Sequence, residues 1–270
     1  MIEALPAISI YAALVVGGLC GGLLAGMLGI GGALLTLPTL YFALPALGVA
    51  PQDVPSTAVQ CALLAMVPTA LVAAWRQHRH GAIESTWVRR LATPMLIGAI
   101  LGALLGAHLR GPVLALLFSA QSCWYGARLV FDCAPSDHAA AAMRVPTWLA
   151  GTFMAAFCAC AGMGGGSMVS PFLLHRGVDL RHAVATSSAL NLTIAFGGSG
   201  AIALLCHAVS TSAPMPCWPA ALLLGASSVV AVPIGVCIGH RLPKAALRMA
   251  VGAINVTAAI VLIVQTFRLA

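Results

Sequence analysis

Long apolar runs separated by short polar connectors divide the chain into ten segments. They fall roughly at residues 8–28, 30–47, 54–75, 89–109, 111–131, 146–161, 165–175, 183–206, 217–240 and 244–267. A helix that crosses a bilayer needs about 20 predominantly apolar residues, and most of the runs reach that length. The runs are continuous and show no two-residue alternation, so the pattern predicts membrane helices and not the strands of an outer-membrane barrel. The second and seventh segments are short, and each directly follows a cluster of glycines. They read as half-helices or as arms of a hairpin.

The two glycine clusters are copies of one another. Gly29, Gly31, Gly32 and Pro38 fall on Gly162, Gly164, Gly165 and Pro171, each pair 133 positions apart. Ser56-Thr57-Ala58-Val59-Gln60 aligns with Ser187-Ser188-Ala189-Leu190-Asn191 at an offset of 131, and Gly102 and Gly106 align with Gly235 and Gly239 at 133. The chain therefore reads as a first transmembrane repeat over 1–131, a connector over 132–146 holding Asp132, Pro135, Asp137, His138, Arg144 and Pro146, and a second repeat over 147–270. Paired glycine-interrupted segments in two halves are the sequence sign of a secondary transporter, and they mark its binding site.

Composition narrows the class. Hydrophobic residues make up 61% of the chain and charged residues 7%, too few to cover a water-facing surface. Almost the whole length is span, so no soluble enzymatic or DNA-binding domain has room to exist. The net charge of +7 comes from basic residues scattered between the runs, which makes it a topology signal and not a nucleic-acid patch. The opening segment is preceded by Glu3 and no basic residue, so it does not read as a signal peptide.

Loop 76–90 carries Arg76, Arg79, Arg89 and Arg90 and is expected in the cytoplasm, whereas its counterpart 207–216 carries no charge. Opposite sides for these loops place Arg128, Arg144, Arg176, Arg181, Arg241, Lys244 and Arg248 in the cytoplasm, leaving Arg110 and Arg268 outside. If each glycine segment is an out-and-back pair, a repeat has five segments, an odd number that requires inversion. The expected fold is all-α: a polytopic helical membrane protein of two inverted repeats, about five segments each, with a glycine-broken helical hairpin in each half and both termini outside. A single broken span would change the parity and make the repeats parallel.

The chemistry follows from the breaks. Glycine permits backbone conformations closed to other residues and lets another chain or a ligand approach. A helix that restarts after a break offers free N–H groups and a positive dipole end, an anion site with no formal charge. Gly29, Gly31 and Gly32 form the first such candidate site; Gly164, Gly165, Gly166 and Ser167 form the second, where Ser167 adds a hydroxyl. Ser187 and Asn191 share a helix face and are matched by Ser56 and Gln60; all four are candidate substrate contacts, or else interhelical polar bonds. All six acids lie at segment ends or in loops. A cation pathway would normally need one within a span, so the substrate is expected to be an anion. His182 lies near Ser187, where it could contact substrate or sense protons, although an interfacial histidine is the simpler reading.

No metal site, cofactor or disulfide framework is expected from the nine cysteines. They read as small buried apolar side chains, with a redox or sulfur-relay role at Cys158-x-Cys160 as the alternative. Gly197-Gly198-Ser199-Gly200 fits the GxSG form of an intramembrane serine protease, with Trp75-Arg76 as a second such feature. A serine nucleophile needs a facing histidine, and only His240 offers itself, beside Arg241 at a helix end. Tight packing of small residues explains the string more simply, so no enzyme is expected.

The paired motifs Gly29-Ile-Gly-Gly-Ala-Leu-Leu-Thr-Leu-Pro38 and Gly162-Met-Gly-Gly-Gly-Ser-Met-Val-Ser-Pro171, followed by Ala185-Thr-Ser-Ser-Ala-Leu-Asn191, resemble the TauE/SafE (sulfite exporter-like) family of membrane transporters. The basic loop with Gly81-Ala-Ile83 is similar to that family's short basic loop, and the resemblance covers essentially the whole chain. The first copy departs from the pattern at Ala33 and in Pro55-Ser-Thr-Ala58. The resemblance implies movement of small sulfur or carbon oxyanions, such as sulfite, sulfoacetate or related sulfonates, across the bacterial cytoplasmic membrane. The expected partners are a small anionic substrate and the lipid bilayer, with a homodimer open and nucleic acid excluded. An anion channel built on two re-entrant hairpins is the nearest rival to a carrier working by alternating access.

Overall fold

The computed structural model describes residues 4–29, 31–109, 111–130, 146–208 and 217–241, together with a few single positions beyond 248. The described residues are helical throughout and contain no strand. Their helices are α1 (Ala4–Leu28), α2 (Ala33–Ala46), α3 (Val54–Arg79), α4 (Ser85–His108), α5 (Gly111–Val130), α6 (Thr147–Cys160), α7 (Gly166–His175), α8 (Leu180–Ala208) and α9 (Trp218–Arg241). Each matches one apolar run in order. The connector apart from its last position, Pro146, the uncharged loop 209–216 and all but a few positions of the tenth run lie outside the described residues.

Among the described residues, five helices are long and apolar enough to cross a membrane, over Ser9–Met27, Val54–Arg79, Ser85–His108, Arg181–Leu205 and Trp218–Gly239. α2 and α7, at 14 and 10 residues, are too short. The helix ends differ from the apolar runs where cations stand. α3 continues through Arg76 to Arg79, whose guanidinium carbons lie 5.4 and 4.7 Å from the Trp75 ring centre. Basic side chains suit the negative end of the helix dipole and lay their stems over the apolar ring, so the charges prolong the helix.

Glycines set the packing and reveal the helix directions. A Cβ at Gly17 would meet the Thr39 side chain, and one at Gly21 would lie 3.0 Å from the Gly32 carbonyl, so α2 folds back along α1. This is the expected glycine-broken hairpin in the first half. α4 lies against α6 with Gly98, Gly102 and Gly106 facing Thr152, Ala156 and Cys160 in rising order, so these two helices run parallel. α1 and α9 are also parallel, since Gly22 and Gly26 meet Ser228 and Val232. Without side chains the backbones approach closely enough for dispersion to hold helices together where lipid supplies no hydrophobic drive.

The two parallel pairs share one packing register. Gly102 sits on the backbone of Ala156, and Gly235 sits on the backbone of Leu23. Gly106 sits on Cys160, and Gly239 sits on Met27. Each partner in one pair is displaced from its equivalent by the repeat offset, but the halves exchange roles: the fourth helix of one half meets the first helix of the other.

The long helices α3 and α8 cross the centre, where Gly198 of α8 rests on Leu63 of α3. Around them lies one continuous buried core that includes Leu37, Leu44, Leu63, Met66, Met95, Phe118, Phe172 and Ile194. At one end the loop between α3 and α4 is tied to the start of α8. A His182 ring nitrogen, Nδ1, lies 2.9 Å from the Ala82 carbonyl, and the Glu84 N–H donates to Thr186 Oγ1 at 3.1 Å. Trp87 of α4 packs edge-on to Phe172 of α7 at this same end. Arg76, Arg79, Arg89, Arg90, Arg176 and Arg181 therefore cluster at one end of the bundle, as the loop charges predict.

Candidate functional site

The two breaks are conformationally unlike. Gly29, Gly31 and Gly32 all have positive φ, at 68, 86 and 76°, a left-handed path that only glycine takes without strain. In the second break only Gly162 does, at 69°. Gly165 has an ordinary φ of −67°, so the glycines at 164–166 serve close approach and not a turn. Each break delivers the chain to a helix start, α2 after Gly32 and α7 after Gly165, and neither start carries a side-chain cap. Leu35 and Met168 already donate back to the Gly32 and Gly165 carbonyls, so it is the first two N–H groups of each helix that lack an acceptor within it, and each start presents a positive dipole end.

These two starts meet. A Cβ on Gly31 would lie 3.1 Å from Gly164 Cα and 3.4 Å from the Asn191 amide nitrogen. Asn191 of α8, 1% exposed, joins them. Its amide nitrogen donates to the Gly29 carbonyl, and its oxygen accepts the Gly166 N–H at 3.1 Å. One buried side chain thereby satisfies a freed carbonyl in one break and a freed N–H in the other.

The neighbouring hydroxyls are likewise engaged. Ser170 donates to Ser187 Oγ at 2.8 Å, and Ser187 donates to the Val184 carbonyl at 2.9 Å. Ser167 Oγ accepts from Gln121 Nε2 of α5 at 2.8 Å and donates to the Gly164 carbonyl at 3.4 Å. Gln121 Nε2 also lies 3.2 Å from Cys158 Sγ. The acids among the described residues, Asp53, Glu84 and Asp179, stand outside the helix interiors. The site thus holds neutral donors and helix starts and no described formal charge.

The structure brings Gly29, Gly31, Gly164, Gly165, Gly166 and Asn191 together, with Ser167 and Ser187 beside them. Gly32 stands one residue back, against Gly21. Ser56 and Gln60 sit elsewhere. They line a cleft between α3, α4, α5 and α8 with Gly106, Leu114 and Ile202. Ser56 donates to the Asp53 carbonyl at 3.0 Å, and Gln60 Oε1 is buried without a partner. The halves are therefore in different arrangements: the Asn191 side is closed by its own bonds, and the Gln60 side lines a cleft.

Sequence reasoning passed over Gln121 and Ser170. A lone amide inside the apolar run 111–131 was the available signal, since a polar side chain among lipid-facing residues needs an interior partner. Ser170 stands in the glycine motif itself, three residues after Ser167. Of the other candidates, Ser199 donates to the Ala195 carbonyl at 2.6 Å and so turns its hydroxyl into its own helix. The His240 side chain lies outside the described residues. Among the described residues no cluster of three His, Cys, Asp or Glu could hold a metal ion.

The family model for the sulfite exporter TauE/SafE matches residues 14–262. A protein of Haemophilus influenzae named "Probable membrane transporter protein" is 28% identical over 183 residues, 67% of this chain and 69% of that protein. No solved structure matches. With the match spanning both glycine breaks, the Asn191 junction and the described helices from residue 14 onward, the chain belongs to the sulfite exporter TauE/SafE family of membrane transporters, as a multi-pass membrane protein.

Proposed function

We propose that this protein carries small anions, sulfur oxyanions or organosulfonates of the sulfite and sulfoacetate kind, across the bacterial cytoplasmic membrane by alternating access, and that it catalyses no reaction. The observation that carries this reading is the meeting of two helix starts at one buried amide, Asn191. Two positive dipole ends and several backbone N–H groups in a water-poor interior favour an anion and cost little reorganisation when it arrives. The family match supports the transport class, and the position of the described acids outside the helix interiors is in keeping with an anionic cargo.

The two halves are read as inverted repeats. The directions of α1 with α9 and of α4 with α6, each parallel, support this, because they set α1 and its equivalent α6 antiparallel once α2, α3, α4 and α5 alternate. Alternating access is the exchange of the two arrangements between halves. On this reading the Asn191 half is the closed one, and the cleft beside Gln60 marks where the path opens. In the other state Gln60, the counterpart of Asn191, closes on the second break while Asn191 lets go. A re-entrant-loop channel shares the hairpins but gives no reason for this asymmetry. A panel of radiolabelled sulfite, sulfate, sulfoacetate and carboxylates in proteoliposomes tests the reading. Saturable flux of a sulfur oxyanion, inhibited by unlabelled substrate, is expected. Unitary single-channel currents would instead establish a channel.

A further inference from the structure

We propose that Gln121 is a substrate-binding residue, and that its carbonyl selects monoprotonated oxyanions such as hydrogensulfite over fully ionised ones. This deepens the transport reading given above and rests on it. Gln121 is 2% exposed. It is the eleventh residue of α5, about 15 Å along a helix that crosses an apolar layer about 30 Å thick, so it lies near mid-depth. Its Nε2 donates to Ser167 in the first turn of α7, and Ser167 passes its own proton to the Gly164 carbonyl. With its nitrogen toward Ser167, the amide leaves Oε1 buried with no partner. Leaving a buried acceptor unpaired is costly, and a ligand, ion or water that completes it is the usual reason for one in a native interior.

The position fits a ligand contact. Gln121 flanks α7 at Ser167, while Asn191 engages the preceding residue, Gly166, so the two amides bracket one helix start. Leu114, two turns earlier on the same face of α5, lines the cleft that holds Gln60. The cleft and the orphan oxygen thus lie along one helix face. An anion at the start of α7 would meet its positive dipole end, with the Gly166 N–H available once Asn191 lets go. The Gln121 carbonyl can only accept, so it repels a bare oxyanion oxygen and bonds to one that carries a proton. A site with donors and one fixed acceptor discriminates strongly, because the wrong protonation state leaves a buried polar group unpaired. Among the described contacts of this amide, Cys158 is the titratable group, and no carboxylate or cation is among them.

The test measures sulfite flux in proteoliposomes from pH 6 to pH 8.5, with sulfate as competitor. For the wild type, half-saturation in total sulfite should rise with pH in step with the loss of hydrogensulfite, and sulfate should compete at least about tenfold more weakly. Gln121→Met keeps the length and removes the acceptor, so the sulfite-to-sulfate preference should fall to within about threefold. Gln121→Glu keeps the shape and, when ionised, repels the anion, so its half-saturation should rise with pH more steeply than the wild type. It gives a second reading if the methionine variant is poorly made. A wild type indifferent to pH, or variants that keep the wild-type preference and profile, would overturn the assignment while leaving transport intact. Absence of any sulfite flux in the wild type would remove the transport reading and this assignment with it.

Discussion

The Asn191 side chain donates to the backbone carbonyl of Gly29, 162 positions earlier in the chain, and so ties the second half of the protein to the first half's helix break. The same amide holds Gly166 across the other break. A single side chain therefore reports on the geometry of both helix starts, and substitutions around it separate packing from function.

Gly29 is the first such position. An alanine there takes a left-handed backbone at φ 68° and places its Cβ 2.6 Å from the Val184 carbonyl and from Ser188 Oγ. Gly48 has φ 86° but nothing within 4 Å. Gly48→Ala should cost only the strain, about 1–2 kcal/mol. Gly29→Ala should add about 1–3 kcal/mol of overpacking to that strain. Thermal melts of the two variants in detergent should rank in that order, with Gly29→Ala clearly lower; equal melts would mean that α8 yields at Val184 without cost.

Gly165 and Gly102 should separate transport from assembly. From sequence, a bulky residue at Gly165 is expected to harm transport more than one at Gly102, which would only perturb packing. The structure sharpens this. A Cβ at Gly165 meets the flexible tip of Ile194 at 2.6 Å, which can move aside, whereas one at Gly102 strikes the Ala156 backbone, which cannot. Gly102→Ala should lower the amount of folded protein by disturbing the α4–α6 seam. Gly165→Ala should insert normally and lose transport. Fluorescence size-exclusion profiles together with flux per molecule distinguish these, and a Gly165→Ala carrier with wild-type flux would move the site away from α7.

Topology is testable at exposed glycine turns in a cysteine-free background. Cysteines at Gly81 and Gly177 should react with an impermeant reagent from the cytoplasmic side, and one at Gly48 from the other. The ties from Ala82 to His182 and from Glu84 to Thr186 place the first two at one end of the bundle. Labelling of all three from one side would contradict the inverted arrangement.

Much of this was legible in the sequence because bilayer length and glycine punctuation are local signals. Each described helix lies where an apolar run predicts it, and the repeat offset reappears as the shared packing register of Gly102 on Ala156 and Gly235 on Leu23. Side-chain partners were less legible. Ser56 and Ser187 occupy equivalent sequence positions and each donates to the carbonyl three residues back, yet only Ser187 also accepts a bond from α7, from Ser170. The difference lies in the neighbour: the position 133 before Ser170 is Leu37, which has no hydroxyl to donate. Gln121 stands out in the sequence as a lone amide, but its partner does not: Ser167 lies 46 positions away and is chosen by how α5 meets α7.

The central claim is that an anion binds where the two helix starts converge under Asn191. Its most direct test is sulfite half-saturation in proteoliposomes for the wild type and Asn191→Ala, normalised to inserted protein. Removing the amide frees the Gly29 carbonyl and the Gly166 N–H together and loosens both helix starts. Losing a hydrogen-bonding group at a charged ligand's site is worth about 1.5–3 kcal/mol, or roughly ten- to a hundredfold in affinity. The predicted result is a half-saturation raised by that factor with insertion unaffected. A change below about twofold in a well-folded variant would contradict the account and leave Asn191 as a packing strut remote from the substrate.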